Sequence, residues 1–258
     1  AETLGFKTIA MGHYAIKKED EDGFPLLYKA KDKNKDQTYF LVETTVDELT
    51  SALFPIGEYT KPEIRLMAEN LNLSVAKKKD STGVCFIGER NFKEFLENYL
   101  PSHEGDIVDI ETGKIIGRHD GTLYYTNGQH RGLNIGGIKG YESSPFFVVG
   151  KDVKKNILYV AQSDSKYMYS YSCRINRVNM LWKKPVKGRI KLNAKFRYRS
   201  VDLPIEFEYV SEDEAYAYYP GYKFVTKGQV LALYDGERCL GGGTILDTYD
   251  EVGRKITY

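Results

Sequence analysis

Between Arg189 and Arg199 the sequence alternates without a break. Ile190, Leu192, Ala194, Phe196 and Tyr198 fall on one parity, and Arg189, Lys191, Asn193, Lys195, Arg197 and Arg199 on the other. A period of two marks a strand half-buried in a sheet. The segment therefore predicts one face in an apolar core and one face that is almost wholly cationic. Closely spaced strand-like segments continue from about 149 to the end, and together they predict a small β-barrel. Thr112-Gly113, Asp120-Gly121 and Asp235-Gly236 read as hairpin turns. Gly136-Gly137 and Gly241-Gly242-Gly243 suit bulges or barrel corners better than phosphate loops.

The front of the chain obeys a different grammar. Residues 1–5 read as the last turn of a helix with Gly5 as its cap, and Lys7 to Gly12 as a short buried strand of the parallel type. Parallel strands need helical crossovers to their neighbours, so residues 1–52 are expected to be the remnant of an α/β (Rossmann-like) domain whose other strands lie upstream. Asp20 to Gly23 is a polar turn between two strands. Residues 53–148 form a second, partly helical segment. Thr60-Lys61-Pro62-Glu63 combines a capping box with an early Pro, and Ile64, Met67, Ala68 and Leu71 follow at helical spacing as a core stripe. A second helix is expected at 91–100. The fold class is thus α+β and multidomain, with the β-barrel at 149–258.

Charge does not select a partner: 37 Lys and Arg face 36 Asp and Glu, for a net charge of +1. Twenty-one Tyr and 12 Phe favour β structure and offer surfaces on which bases stack. Cys85, Cys173 and Cys239 are too few and too scattered for a disulfide framework, and their spacing holds no zinc motif. No metal site is expected. Without an apolar run long enough to span a bilayer, and with free thiols, the reading is a cytoplasmic protein.

Four groups are candidates for chemistry. Cys85 follows Lys77, Lys78 and Lys79, whose cations lower a thiol pKa, and Gly83 and Gly88 leave its loop free to take an unusual shape. The same cysteine also reads as a small buried hydrophobe; Cys173 and Cys239, in strand-like contexts, read as core. Gly12 and His13 end the first strand, where open α/β sheets bind ligands, or they are an ordinary strand exit. Lys35, Asp36 and Gln37 offer a cation, a carboxylate and an amide, or a solvated turn. The cationic face of 189–199 either tracks a phosphate backbone or is merely solvated.

Taken in order, the motifs resemble those of the tRNA-specific 2-thiouridylase family (MnmA, also called TrmU). They are Gly12-His13-Tyr14-Ala15, Lys35 to Leu41, Phe54-Pro55-Ile56-Gly57-Glu58, Lys78 to Arg90 around Cys85, Gly117 to Gly121, Tyr125 to Leu133, and Phe196-Arg197-Tyr198-Arg199. The block ending at Arg90 is highly specific. The resemblance implies a PP-loop ATP-binding domain, a central domain and a C-terminal barrel. It implies adenylation of the C2 oxygen of the wobble uridine in tRNAs for Lys, Glu and Gln, using ATP with Mg. Sulfur then comes from a cysteine persulfide loaded by a sulfur-relay protein or cysteine desulfurase. By motif, Cys85 matches the persulfide cysteine and Gly12 an ATP contact. His13, Lys35, Asp36, Gln37, Tyr198, Arg199 and Gln229 match tRNA contacts. The family's Ser-Gly-Gly-x-Asp-Ser phosphate loop does not occur in the chain, and its second catalytic cysteine is expected upstream of Ala1. The isolated chain is therefore expected to be inactive in adenylation. Asn127 and His130 stand where the family usually has Ile and Arg. Two rival readings are a non-catalytic RNA-binding fragment or paralogue and a different PP-loop adenylating enzyme.

Overall fold

The computed structural model describes residues 3, 5–78, 95, 99–100, 103–183 and 188–258. Cys85 and nearly all of the helix expected at 91–100 lie outside the described residues. The chain divides into two compact units, both discontinuous in sequence. One comprises Ala1–Lys78, Ser172–Pro220 and Lys227–Thr248; the other comprises Lys79–Tyr171, Gly221–Thr226 and Tyr249–Tyr258.

In the first unit, β1 (Ile9–Ala10) pairs in parallel with β4 (Ala52–Leu53). The parallel pairing matches the sequence reading but the burial does not: Ile9 is 47% exposed and Leu53 46%. Among the described residues β1 has only the two-residue β4 beside it, so its apolar side chains have nothing to pack under. Between them, β2 (Ala15–Glu19) and β3 (Pro25–Lys29) form an antiparallel hairpin. Asp20 closes it, its Oδ1 accepting the Asp22 and Phe24 N–H groups, and Gly23 takes the left-handed conformation the turn needs (φ +78°). Helix α1 (Val46–Ser51) is capped by Thr45 and Glu48, and α2 (Lys61–Asn70) by Thr60 and Glu63, each a complete capping box. The apolar stripe of α2 is not core. Met67 is 41% exposed and Leu71 70%, because no described element packs on that face.

The second unit is built on β5 (Gly105–Asp109), β6 (Ile115–His119), β7 (Phe146–Asp152) and β8 (Ile157–Gln162), in the order β6-β5-β8-β7. Ile107, Val148, Leu158 and Val160 are fully buried at its centre. Thr112-Gly113 makes the β5–β6 hairpin. Asp120-Gly121 does not make one; it leaves β6 into a 3-10 turn at Thr122–Tyr124. Gly136-Gly137 falls in the β6–β7 connection, outside any strand. The strands at 146–162 thus belong to this sheet rather than to the barrel.

The barrel begins later, with β9 (Tyr169–Met180), β10 (Arg189–Lys195), β11 (Leu203–Tyr209), β12 (Glu214–Lys223), β13 (Val230–Asp235) and β14 (Arg238–Tyr249). The order β13-β10-β11-β12-β9-β14 closes through a β13–β14 pairing, giving six strands. On the parity the alternation marks as apolar, Ala194 and Phe196 are buried while Ile190, Leu192 and Tyr198 are half-buried; Ile205, Phe207, Leu231 and Leu233 of the neighbouring strands complete the core. Gly241 sits at a bulge opposite Leu233/Tyr234 with φ +102°, and a Cβ there would lie 2.0 Å from the Asn179 carbonyl oxygen.

The β2–β3 hairpin adds to the barrel sheet by pairing β3 with the start of β14. A second core forms there, where Leu27, Leu41 and Leu49 cover Ala232, Tyr234 and Cys239. Leu27 and Leu49 are fully buried, each contributing about 1.5–3 kcal/mol by removal from water. This core holds the front of the chain, including residues 35–41, on the barrel.

Candidate nucleic-acid interface

Residues 35–41 leave the hairpin as a tight polar loop and enter a 3-10 turn at Thr38–Leu41. One buried and one half-buried side chain shape the loop. The Asp36 carboxylate accepts from Ala30 N (3.1 Å), Thr38 N (3.4 Å) and Thr38 Oγ1 (3.0 Å). The Gln37 Oε1 accepts from Tyr14 N at 2.9 Å, while Gln37 N donates to the Tyr14 carbonyl at 2.9 Å. Residues 13–14 and 35–37, well separated in sequence, are thereby joined.

The 3-10 turn then docks on the barrel. Tyr39 donates its hydroxyl to the Val230 carbonyl (2.9 Å), and burial pushes that phenol up to about 12, so it stays protonated at neutral pH. Its neighbour Phe40 points outward and is 56% exposed. The Phe40 ring lies 4.5 Å from the ring of Tyr198, and the Arg199 guanidinium lies 5.1 Å over Tyr198. Tyr198 and Arg199 are not part of β10. They form the turn that leaves it, with Arg199 at φ +63°. The result is a partly exposed aromatic cluster, Phe40 and Tyr198 tilted at 45° to each other with Arg199 over Tyr198, a surface suited to an unstacked base. Gln229 precedes Val230, whose carbonyl holds Tyr39, and its own carbonyl accepts Ile245 N at 2.8 Å.

Arg189 and Lys195, two of the five cations on the strand face, are neutralised. Arg189 bonds Glu206 and Glu208 on the adjacent β11 (3.3 and 3.1 Å). Lys195 turns inward, 13% exposed, 3.8 Å from both Asp36 and Asp202. The alternation was legible in the sequence, but the facing glutamates were not, because cross-strand register is set by the closed barrel.

Gly12 is exposed with open space around it, and His13 packs edge-on against Phe54 at 6.4 Å. The His13 Nδ1 is buried without a hydrogen-bond partner among the described residues. The structure thus brings His13, Lys35, Asp36, Gln37, Tyr198, Arg199 and Gln229 into one unit. Asn127 and His130 lie in the other. There His130 lies against Phe147 with ring centroids 5.4 Å apart and planes tilted at 52°, and the loop pairs with β7 through Gly128 N to Val148 O (2.8 Å) and Val148 N to Gln129 O (2.9 Å). Sequence reasoning did not single out Phe40, Lys29 or Asp202, and it read Lys195 only as part of the cationic strand face. Phe40 was hidden inside an apolar run, and the other three meet only through the fold. Cys173 and Cys239 are fully buried, as read. Among the described residues no group of three His, Cys, Asp or Glu side chains is placed to hold a metal, and no helix is long and apolar enough to cross a membrane.

Residues 1–89 match the family described as tRNA methyl transferase HUP domain. Residues 93–162 match the tRNA methyl transferase PRC-barrel domain, and residues 170–245 the aminomethyltransferase beta-barrel domain. This succession sets the class, a multidomain relative of tRNA-modifying enzymes. A protein of Pasteurella multocida (strain Pm70) described as tRNA-specific 2-thiouridylase MnmA is 45% identical over 214 residues, covering 83% of this chain and 55% of that one. Its namesake in Streptococcus thermophilus (strain CNRZ 1066) is 47% identical over 206 residues, covering 80% and 55%. The chain belongs to the tRNA-specific 2-thiouridylase (MnmA/TrmU) family, and it spans about half the length of the curated relatives it matches.

Proposed function

We propose that this chain is the central and C-terminal part of an enzyme that replaces the C2 oxygen of the tRNA wobble uridine with sulfur. In this reading residues 1–52 complete a PP-loop domain, the segment from 53 to about 162 carries the sulfur-donating loop, and the barrel strands from Tyr169 onward hold the RNA. ATP, with Mg, activates the C2 oxygen as an adenylate, and the tRNAs for Lys, Glu and Gln are the substrates. Cys85 carries the sulfur as a persulfide received from a relay protein or desulfurase in the cytoplasm. When the outer persulfide sulfur attacks C2, a C–S bond forms, the C–O bond to adenylate breaks and AMP leaves. The thiolate of the family's second catalytic cysteine then attacks Cys85 Sγ, breaking its S–S bond, so that the sulfur stays on C2 and the two cysteines are left as a disulfide.

The residues of this chain have the following roles. Phe40, Tyr198 and Arg199 hold a base that has left its stack. His13, Lys35 and Gln37 flank the base, and Gln229 supports the far side. The fit to ATP rests on one observation, the exposed Gly12 with nothing within 4 Å of a Cβ built on it. It leaves room for a nucleotide, and no step of adenylation is derived from it.

The observation that supports this reading best is the partly exposed Phe40–Tyr198–Arg199 group, held on the barrel by Tyr39. Its test is tRNA binding by the full-length protein carrying Phe40→Ala or Tyr198→Ala. Loss of one stacking partner weakens binding by about 1–3 kcal/mol. Unchanged affinity in both variants would remove the group from the RNA site.

A further inference from the structure

Behind the exposed aromatic group lies a charge-balanced cluster, buried except at Asp202. Lys29 pairs with Asp202. Lys195 Nζ sits 3.8 Å from Asp202 Oδ1 and 3.8 Å from Asp36 Oδ2, bridging the two carboxylates. Both ammonium groups lie over the ring of Tyr234, at 4.4 and 5.4 Å from its centroid. The Tyr234 hydroxyl meets Thr38 Oγ1 at 3.2 Å, and Thr38 in turn donates to Asp36. The Lys29 side chain is 6% exposed and that of Asp36 4%.

Two lysines and two aspartates cancel in charge, and their position is informative. The 35–37 loop and the 198–199 turn, which carry candidate contacts, are both tied into the cluster. Asp36 belongs to the loop between Lys35 and Gln37, Lys195 ends β10 three residues before Tyr198, and Asp202 lies three residues after Arg199. A buried ion pair contributes little net stability, but it admits few alternative arrangements.

We propose that Lys29, Lys195 and Asp202 are positioning residues. Through Asp36 they fix the 35–40 loop against the 198–199 turn, and Asp36 acts through them rather than by touching RNA. This rests on the thiolation reading above, which supplies the base to be positioned.

The test uses the full-length protein with Lys195→Met, Lys195→Arg, Asp36→Asn and the Lys195→Met/Asp36→Asn pair. Amide exchange needs no activity. With Lys195→Met, the Ala30 and Thr38 amides, which donate to Asp36, should exchange about tenfold faster while that of Leu231 in β13 keeps its protection. Where wild-type protein thiolates tRNA, kcat should fall about tenfold, with the salt slope of binding unchanged because no phosphate contact is lost. Lys195→Arg should recover part of kcat. The double variant leaves no lone buried charge, so it should fold and be no worse than either single change. Unaltered exchange at Ala30 and Thr38, strictly additive single effects, or a slope reduced by about 0.7–0.9 would each overturn the proposal. Wild-type protein that binds tRNA without thiolating it would instead sink the functional reading, and the exchange result would still decide the positioning claim.

Discussion

Gln37 and Tyr14 are bound to each other twice. The Gln37 side-chain oxygen takes the Tyr14 N–H, and the Tyr14 carbonyl takes the Gln37 N–H, both at 2.9 Å. Replacing Gln37 by Leu leaves a part-buried N–H without its acceptor, and the expected loss is about 1–3 kcal/mol in urea unfolding. Gln37→Glu keeps the acceptor and should lose less, while removing the amide donor the RNA would meet. Equal loss in both variants would show that the side-chain bond does not matter.

Arg189 and Arg199 should separate by salt. Arg189 is occupied by Glu206 and Glu208, so Arg189→Ala should leave the salt dependence of tRNA binding unchanged. Arg199→Ala should reduce the slope of log K against log salt by about 0.7–0.9, the share of one phosphate. A reduced slope for Arg189→Ala would restore the whole strand face as an RNA track.

The triple glycine is a steric requirement. An added Cβ at Gly242 would lie 2.0 Å from the Leu231 carbonyl oxygen, as close as the one at Gly241 to Asn179. Gly242→Ala should destabilise by more than about 2 kcal/mol. At Gly113 (φ +71°) the space is open, so an alanine there meets only backbone strain, about 1 kcal/mol. Chemical denaturation of the two variants checks the order.

Stability should decline in acid partly through Glu63. The Thr60 N–H, then Lys31 and the Thr60 hydroxyl, hold its carboxyl at about 2 instead of 4.5. A carboxylate with a lowered folded pKa contributes stability that is complete above the unfolded value and is lost as pH falls through the folded one. The window therefore runs from 4.5 down to about 2. Glu63→Gln should flatten that part of the stability profile; an unchanged profile would contradict it.

How much of this was legible depended on range. Local rules located the α2 capping box, the Asp20–Gly23 turn and the parity of β10, because each is fixed by neighbours in sequence. They missed whatever depends on distant pairing. The stripe on α2 has helical spacing but no described element over it. Arg189 is a cation whose charge is spent across a strand register. Lys195 has the parity of the polar face, yet it is buried because the β2–β3 hairpin and its following loop cover that part of the barrel. The candidate contact motifs were readable as motifs, but their meeting in one unit was not.

The central claim is sulfur transfer, and the three cysteines allow it to be isolated. Cys173 and Cys239 are fully buried, and burial pushes both thiols up to about 12, so neither should react with iodoacetamide in the native protein. The deciding measurement is mass spectrometry of tRNA nucleosides from cells that depend on the full-length protein with Cys85→Ser. The account predicts that 2-thiouridine is lost while tRNA binding persists; undiminished 2-thiouridine would contradict it.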